Sequence, residues 1–348
     1  MEISVCMIVR DEAKNLPNIL NIVQKFADEI IIVDTGSKDE TISIAKMFTN
    51  NVYNFTWCND FSKARNFSFS KTTRDYIMWL DADDYIDDTN VQKILNLKNT
   101  TNPLDLYMMK YTISNASFSY YRERLLKRSN NYIWSGFVHE AITPTGRVEY
   151  LDITIQHKKT ASSNPKRNLN LYRYHKKQNY KFNAREQYYY AKELYYNGYY
   201  ASAIRELKKF LAYKNKFLPN HYDAILTLAR IYNHKSQHNL SINILADFIK
   251  TYTPTSEICC ELGNAFIKSH RINDAIMAYE AALTIPPNLI SGAFVEYDYY
   301  YLIPHLQLVC LYYKKGNYEL SKYHHNILIN QYPSHPSVIY NQQFFTKF

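Results

Sequence analysis

The chain has 348 residues, 46% of them apolar and 21% charged, enough for two ordinary hydrophobic cores and too apolar for a disordered polypeptide. Its formal charge of +9 is uneven: residues 1–160 carry 19 basic against 20 acidic side chains, and residues 161–348 carry 22 against 12. No stretch reaches the length of apolar sequence that a membrane span needs, the start lacks a basic-then-apolar leader, and five cysteines without metal-ligand spacing point to free thiols, so a cytoplasmic location is expected.

The first half alternates strand and helix patterns. Residues 3–9 form a run that is apolar except at Ser4 and reads as a buried strand, and residues 13–26 repeat Leu16, Ile19, Leu20 and Val23 at helical spacing. A second unit begins with a strand at 29–33, turns through Asp34-Thr35-Gly36-Ser37-Lys38-Asp39, and continues as a helix through Phe48 capped by Ser37 or Asp39. Residues 52–55 give a short third strand. Asp60 or Ser62 caps a short helix carrying Arg65, and a fourth strand at 76–80 opens onto Asp81-Ala82-Asp83-Asp84. This alternation predicts a mostly parallel α/β sheet with ligands at the carboxyl ends of its strands.

From Asn183 the pattern is helical only, and it repeats. With Leu262 at the seventh position of a 34-residue frame, Gly263, Phe266, Ala275, Tyr279, Ala282 and Pro287 fall on positions 8, 11, 20, 24, 27 and 32, the signature of a tetratricopeptide unit. The same frame collects Leu308, Tyr312, Ser321, Leu328 and Pro333 in a later copy and Leu228, Ala229, Tyr232, Ser241, Leu245 and Phe248 in an earlier one, with a weaker copy from Tyr190 to Phe210. Between the halves, residues 153–185 hold nine basic side chains and no acidic one, which reads first as a solvated face and second as a surface for an anionic partner. The expected division is a catalytic domain over 1–160, a basic connector over 161–182 and a repeat domain over 183–348.

Asp81 and Asp83 at a strand end can share a hard divalent cation, Mg²⁺ or Mn²⁺, that bridges diphosphate oxygens. Glu12 and Asp34 also follow strands, so three acidic positions open on one edge, and each is equally readable as a helix cap. Arg65 can reach phosphate oxygens or serve as a salt-bridge partner. Gly36 is the only glycine before Gly136, which excludes the Gly-rich phosphate loops of sugar nucleotidyltransferases, dinucleotide-binding folds and Walker-type sites.

These segments together resemble the family 2 glycosyltransferases, specifically the branch in which a Rossmann-like GT-A domain precedes an all-α tetratricopeptide-like domain. That branch includes peptide S-glycosyltransferases of the sublancin type and lipopolysaccharide-core glucosyltransferases. The matching residues are Ile8-Val9-Arg10-Asp11-Glu12, Ile31 through Thr41, Asn59 through Asn66, Leu80-Asp81-Ala82-Asp83, Arg124-Leu125-Leu126-Lys127-Arg128, Gly136-Phe137-Val138-His139-Glu140 and His157. The resemblance implies metal-assisted, inverting transfer from a nucleoside-diphosphate sugar, UDP-linked by expectation, to a protein, peptide or glycan. It also implies that Val9, Glu12, Asp34 and Arg65 contact the nucleotide, Asp81 the ribose or sugar, and Asp83 the metal. His139 or His157 joins the metal or holds the leaving phosphate. Arg10-Asp11 stands where the family often has Lys or Tyr followed by Asn, and the family's usual Glu-Asp catalytic pair is absent. Inversion requires a base on the acceptor side, and Glu140 is the candidate. A nucleic-acid partner and a membrane span are not expected, whereas the repeats offer a surface for an acceptor or for a second copy of the chain. The competing expectation is a tetratricopeptide adaptor whose transferase domain has degenerated.

Overall fold

A computed structural model describes residues 1–113, 118–158, 165–288 and 295–345. The chain divides into two compact units, Met1–Lys181 and Phe182–Phe348. The first four residues of the basic segment 161–182 lie outside the described residues. The rest of it includes a helix over Arg167–Lys177 (called α5 below) within the first unit. Among the described residues no helix is long and apolar enough to cross a membrane.

In the first unit, β1 (Ile3–Val9), β2 (Glu29–Asp34), β3 (Val52–Asn54) and β4 (Tyr76–Trp79) are mutually parallel. The sheet continues in the order β3-β2-β1-β4-β7-β6-β10-β5, with β5 at Asp84–Tyr85, β6 at Leu106–Ile113, β7 at Phe118–Lys127 and β10 at Val148–His157. A separate two-stranded ribbon joins β8 (Trp134–Ser135) to β9 (Ala141–Ile142). The expected parallel sheet is therefore mixed: β7 runs antiparallel to both β4 and β6, because only four residues separate β6 from β7 and so short a connection cannot join parallel strands. Since β7 opposes both neighbours, β6 and β10 point the same way as β4, and the carboxyl ends of β1, β2, β4 and β10 share one edge.

Side-chain alternation builds a core on each face. Ile3, Val5 and Met7 pack with Leu16, Ile19, Leu20 and Val23 of α1 (Leu16–Val23) on one side; Cys6, Ile31, Val33 and Trp79 pack with Trp134 on the other. The helix α1 is shorter than its apolar pattern: Pro17 sits in its first turn, and the Ala13 amide donates to Asp39 rather than entering a helix. The next helix, α2 (Thr41–Phe48), has no side-chain cap on its N-cap residue; Asp39 instead accepts from the Thr41 amide at 3.0 Å. Asp60 caps α3 (Phe61–Phe69), accepting from the Lys63 amide at 3.1 Å, and α4 occupies Asp88–Lys98.

The second unit stacks antiparallel helix pairs: α6 (Ala184–Tyr196) with α7 (Tyr200–Leu211), α8 (Leu218–His234) with α9 (His238–Ile249), α10 (Ser256–Lys268) with α11 (Ile272–Leu283), and α12 (Leu302–Lys314) with α13 (Tyr318–Gln331), followed by α14 (Pro336–Phe345). The small-residue positions explain themselves sterically. A Cβ at Gly263 would lie 2.7 Å from the Tyr279 ring, so glycine here is what lets α10 and α11 approach. A polar network is buried between α6 and α8. Asp223 accepts from the Tyr188 hydroxyl at 2.7 Å and from Lys192 Nζ at 2.8 and 3.1 Å, and Lys192 also donates to Thr227.

Candidate active site

The register places Val9 opposite Asp34. Val9 contributes its carbonyl, which accepts from the Thr35 amide and hydroxyl at 2.9 and 3.0 Å. Asp34 is 3% exposed and folds back on its own turn, accepting from the Gly36 and Ser37 amides at 2.9 and 3.1 Å. Gly36 has φ +106°, a conformation that L side chains rarely adopt. Asp34 is therefore not a helix cap, since the N-cap of α2 is Glu40; its carboxylate organises the loop between β2 and α2. The loop after β1 interlocks with it, Asp11 accepting from the Lys38 amide while Ser37 and Thr41 hydroxyls accept from the Asp11 and Glu12 amides.

Glu12 takes one side-chain hydrogen bond, from Asn15 at 2.8 Å. Burial raises its pKa, the Asn15 bond opposes, and the charges of Asp83, Asp81 and Asp39 add to the rise. Glu12, Asp81 and Asp83 therefore share one electrostatic neighbourhood. Three residues bordering this region, Asp11, Asn59 and His139, have left-handed φ of 55°, 61° and 53°. Asp, Asn and His tolerate that region better than most side chains, and such local strain concentrates at functional loops.

Arg65 is the hub. Its Nε donates to Glu140 Oε1 at 2.7 Å and its Nη2 to Asp81 Oδ1 at 2.9 Å, with its guanidinium 4.9 Å from the ring centres of both Trp79 and Trp134. The side chain is 9% exposed. Burial works against its charge, but Asp81 and Glu140 outweigh burial and push its pKa up. Burial likewise disfavours the Asp81 carboxylate, yet Arg65, Arg124 and His157 bring it down to about 2. The salt-bridge reading of Arg65 is what the structure displays, with both Asp81 and Glu140 as its partners. Glu140 is presented by a tightly anchored loop: Phe137 and Val138 are buried, the Phe137 ring stacks on His175 of α5 at 4.0 Å, and its carbonyl accepts from the Phe61 amide.

Asp83, Asp84 and His157 bring one ligand atom each to within 4.8 Å of one another. The β5–β10 pairing sets Asp84 opposite His157, and the Lys158 amide donates to the Asp83 carbonyl at 2.8 Å. His157 Nδ1 lies 3.2 Å from Asp83 Oδ1 and 3.8 Å from Asp84 Oδ1, yet it is buried and makes no well-aligned hydrogen bond. Asp83 first and Asp84 second raise its pKa to about 10, against burial. A proton and a divalent cation are alternatives at such a nitrogen. This orphaned ring nitrogen facing a carboxylate fits a small oxygen- and nitrogen-liganded ion, and the imidazole favours Mn²⁺ over Mg²⁺. His139, half-buried beside Glu140, lies outside this cluster.

Sequence reasoning missed Asp84 as a member of the group and gave no role to Arg124, which was noted only as part of a matching segment. Arg124 is fully buried and donates through Nη1 to both Asp84 Oδ2 and the Trp79 carbonyl at 3.0 Å. A fully buried arginine beside an Asp-rich strand end is a signal that only the fold reveals. The basic connector contributes none of the candidate residues; a depression of about 600 Å³ along α5 is lined by Asn170, Arg173, Tyr174, Lys176 and Lys177.

The sequence profile of glycosyl transferase family 2 matches residues 4–206. A TPR repeat-containing protein of Synechococcus elongatus is 46% identical over 83 residues, 24% of this chain and 21% of that protein. The SPbeta prophage-derived glycosyltransferase SunS of Bacillus subtilis is 31% identical over 139 residues, 38% of this chain and 33% of that protein. The chain thus spans a third or less of the length of these curated relatives. A crystal structure of Staphylococcus aureus TarS, residues 1–349, aligns with 84% of this chain and 96% of its own at 14% identity and a TM-score of 0.37, too loose an overlap to carry an argument. With more than half its length matched by the profile, and acidic strand ends, Arg65 and the Asp83–His157 cluster gathered on one sheet edge, this chain belongs to glycosyl transferase family 2.

Proposed function

We propose that the chain is an inverting glycosyltransferase that moves a sugar from a nucleoside-diphosphate sugar, UDP-linked, to a hydroxyl, thiol or amide of a protein, peptide or glycan acceptor. The observation that carries this reading is the convergence of Asp83 and His157 beside Asp81 and Arg65 at the carboxyl ends of β4 and β10. Mn²⁺, or Mg²⁺ in its place, held by Asp83 and His157 would neutralise charge on the departing diphosphate.

The protein's own groups supply the rest. The loops carrying Val9, Glu12 and Asp34 are assigned to the base and ribose of the nucleotide, with Glu12 as the open carboxylate acceptor and with Val9 and Asp34 shaping the loop through Thr35 and the Gly36–Ser37 turn. Asp81, held ionised by Arg65, accepts from a donor hydroxyl. Arg65 keeps Glu140 in one orientation through Oε1, leaving Oε2 to take the acceptor's proton as it attacks the anomeric carbon opposite the leaving diphosphate. His139, next to Glu140, is within the same loop and is assigned to the leaving phosphate or the acceptor. The repeat unit, with its extended helical surface, is assigned to the acceptor.

Incubation of the full chain with UDP-sugars, Mn²⁺ and candidate acceptors, with UDP release, product mass and the anomeric proton coupling of the product by NMR as readouts, tests the reaction. Anomeric inversion in the product is expected; retention, or an absence of transfer from every nucleoside-diphosphate sugar offered, contradicts it. For the repeats, a folded fragment of the first unit should keep slow donor hydrolysis and lose transfer. Undiminished transfer by that fragment would remove the repeats from acceptor selection.

A further inference from the structure

Asp83, Asp84 and His157 form a geometric trio, but their hydrogen bonding separates them. Asp84 is 4% exposed and already accepts three hydrogen bonds: from the Asp81 amide and Arg124 Nη1 at its Oδ2, and from the Tyr111 hydroxyl at its Oδ1, each at 3.0 Å. Arg124 is wholly buried, and it gains its place through a register irregularity. Tyr107 faces Leu125 and Met108 faces Glu123, so Arg124 is the extra residue of a bulge in β7. Bulges re-aim side chains, and this one sends a guanidinium against the face of Trp79, 3.6 Å from the ring centre, while one nitrogen bridges the end of β4 to the Asp81–Asp84 turn. Asp83, by contrast, points its carboxylate at His157.

We propose that Asp84 is not a metal ligand but a positioning residue: with Arg124 and Tyr111 it fixes the turn so that Asp83 faces His157 and Asp81 faces Arg65. Asp84 Oδ2 is committed to Arg124 and the Asp81 amide, and its Oδ1, the atom 3.8 Å from His157 Nδ1, is committed to the Tyr111 hydroxyl, so a cation at Oδ1 would have to compete with that hydroxyl. A preformed turn is also what lets two ligands, Asp83 and His157, meet an ion at fixed separation. The inference rests on the proposed metal site.

The opposing idea, that Asp84 is the third ligand, predicts a different result for Tyr111→Phe, and Arg124→Lys probes the other side of the same carboxylate. Tyr111→Phe removes only a hydroxyl, and Arg124→Lys keeps the charge while removing the planar group that lies against Trp79 and carries Nη1 to Asp84. The quantity measured is Mn²⁺ affinity of the full chain in the presence of saturating UDP, read from the EPR signal of free and bound Mn²⁺, with a melting curve for each variant. A positioning role predicts that both variants bind Mn²⁺ on the order of 10-fold more weakly, as loss of an outer partner of a metal site generally does, while they remain folded at the assay temperature. If Asp84 were a ligand, freeing it from Tyr111 would leave affinity unchanged or tighten it, and that result overturns the proposal. Should wild type bind no Mn²⁺ with UDP present, the metal reading itself falls and takes this one with it. If wild type binds and Asp83→Asn abolishes binding while Tyr111→Phe changes nothing, the positioning inference alone is lost.

Discussion

Both units bury a cationic side chain among carboxylates, but they do so to different ends. In the repeat unit Lys192 meets Asp223 and Thr227, and Asp223 meets Tyr188 in turn. Burial alone would lower the lysine's pKa, yet Asp223 raises it, and the network is closed. In the first unit Arg65 ties Asp81 to Glu140, but beside it the His157 ring nitrogen stays poorly paired and Glu12 is protonated more readily than an ordinary carboxyl. A closed network specifies a scaffold. An open one, with charges positioned and incompletely satisfied, is prepared for something absent from the chain itself.

The comparison breaks most visibly if metal chemistry is removed from the first unit. Asp83→Ala should reduce sugar transfer about a thousandfold, the several kcal/mol that charge neutralisation on a leaving diphosphate contributes, while the melting temperature stays near wild type. Near-normal Mn²⁺-dependent turnover would show that Asp83 holds no metal. Next in size, Glu140→Gln should lower kcat roughly a hundredfold with little change in donor KM, as loss of a general base does. If the loss appears in donor KM alone, Glu140 serves the donor through Arg65.

The closed network should answer in stability instead. Asp223→Ala strands Lys192, whose side chain is 7% exposed, and is expected to destabilise by about 3 kcal/mol. Donor hydrolysis measured below the melting transition should be unaffected. Gly263→Ala forces a Cβ against Tyr279 and should cost about 1–3 kcal/mol by overpacking. A variant as stable as wild type in urea would mean that the α10–α11 contact relaxes freely.

The remaining effect is a pH dependence. On α12 and α13, His305 Nδ1 and His324 Nδ1 lie 2.8 Å apart, so at most one proton sits between them, and burial followed by His305 lowers the His324 pKa to about 4. A group whose folded pKa is below its unfolded value of 6.5 binds the proton more readily when unfolded. Stability should therefore fall as pH drops from about 6.5 to about 4. The acid slope should flatten in His324→Phe; an identical slope would assign the acid sensitivity to other groups.

Much of this architecture was legible because it rests on local patterns. The segments Val5–Val9 and Ile30–Val33 are apolar on both faces, as buried parallel strands are. The repeats declared themselves through Gly263 and Tyr279, whose spacing follows from one steric contact. What escaped depends on partners distant in sequence. Arg65 and Glu140 are 75 residues apart, and nothing local marks them as a pair. The antiparallel course of β7 and the bulge at Arg124 arise from sheet register, so the sequence offers Asp81 and Asp83 by spacing and His157 through the family resemblance, but neither Asp84 nor the buried arginine that holds it. Asp34 illustrates the remaining ambiguity: a carboxylate after a strand serves a ligand or its own turn, and here the Gly36 and Ser37 amides are seen to engage it.

The central claim, that the acidic edge of the first unit is a metal-assisted site for a nucleoside-diphosphate sugar, is tested most directly by thermal shift. The full chain and Asp83→Ala are melted with a panel of nucleoside-diphosphate sugars, each with Mn²⁺ and with a chelator. The account predicts that at least one donor raises the wild-type melting temperature only when Mn²⁺ is present, and that Asp83→Ala loses this gain while melting normally without ligand. Stabilisation indifferent to both Mn²⁺ and Asp83, or none from any donor, would contradict it.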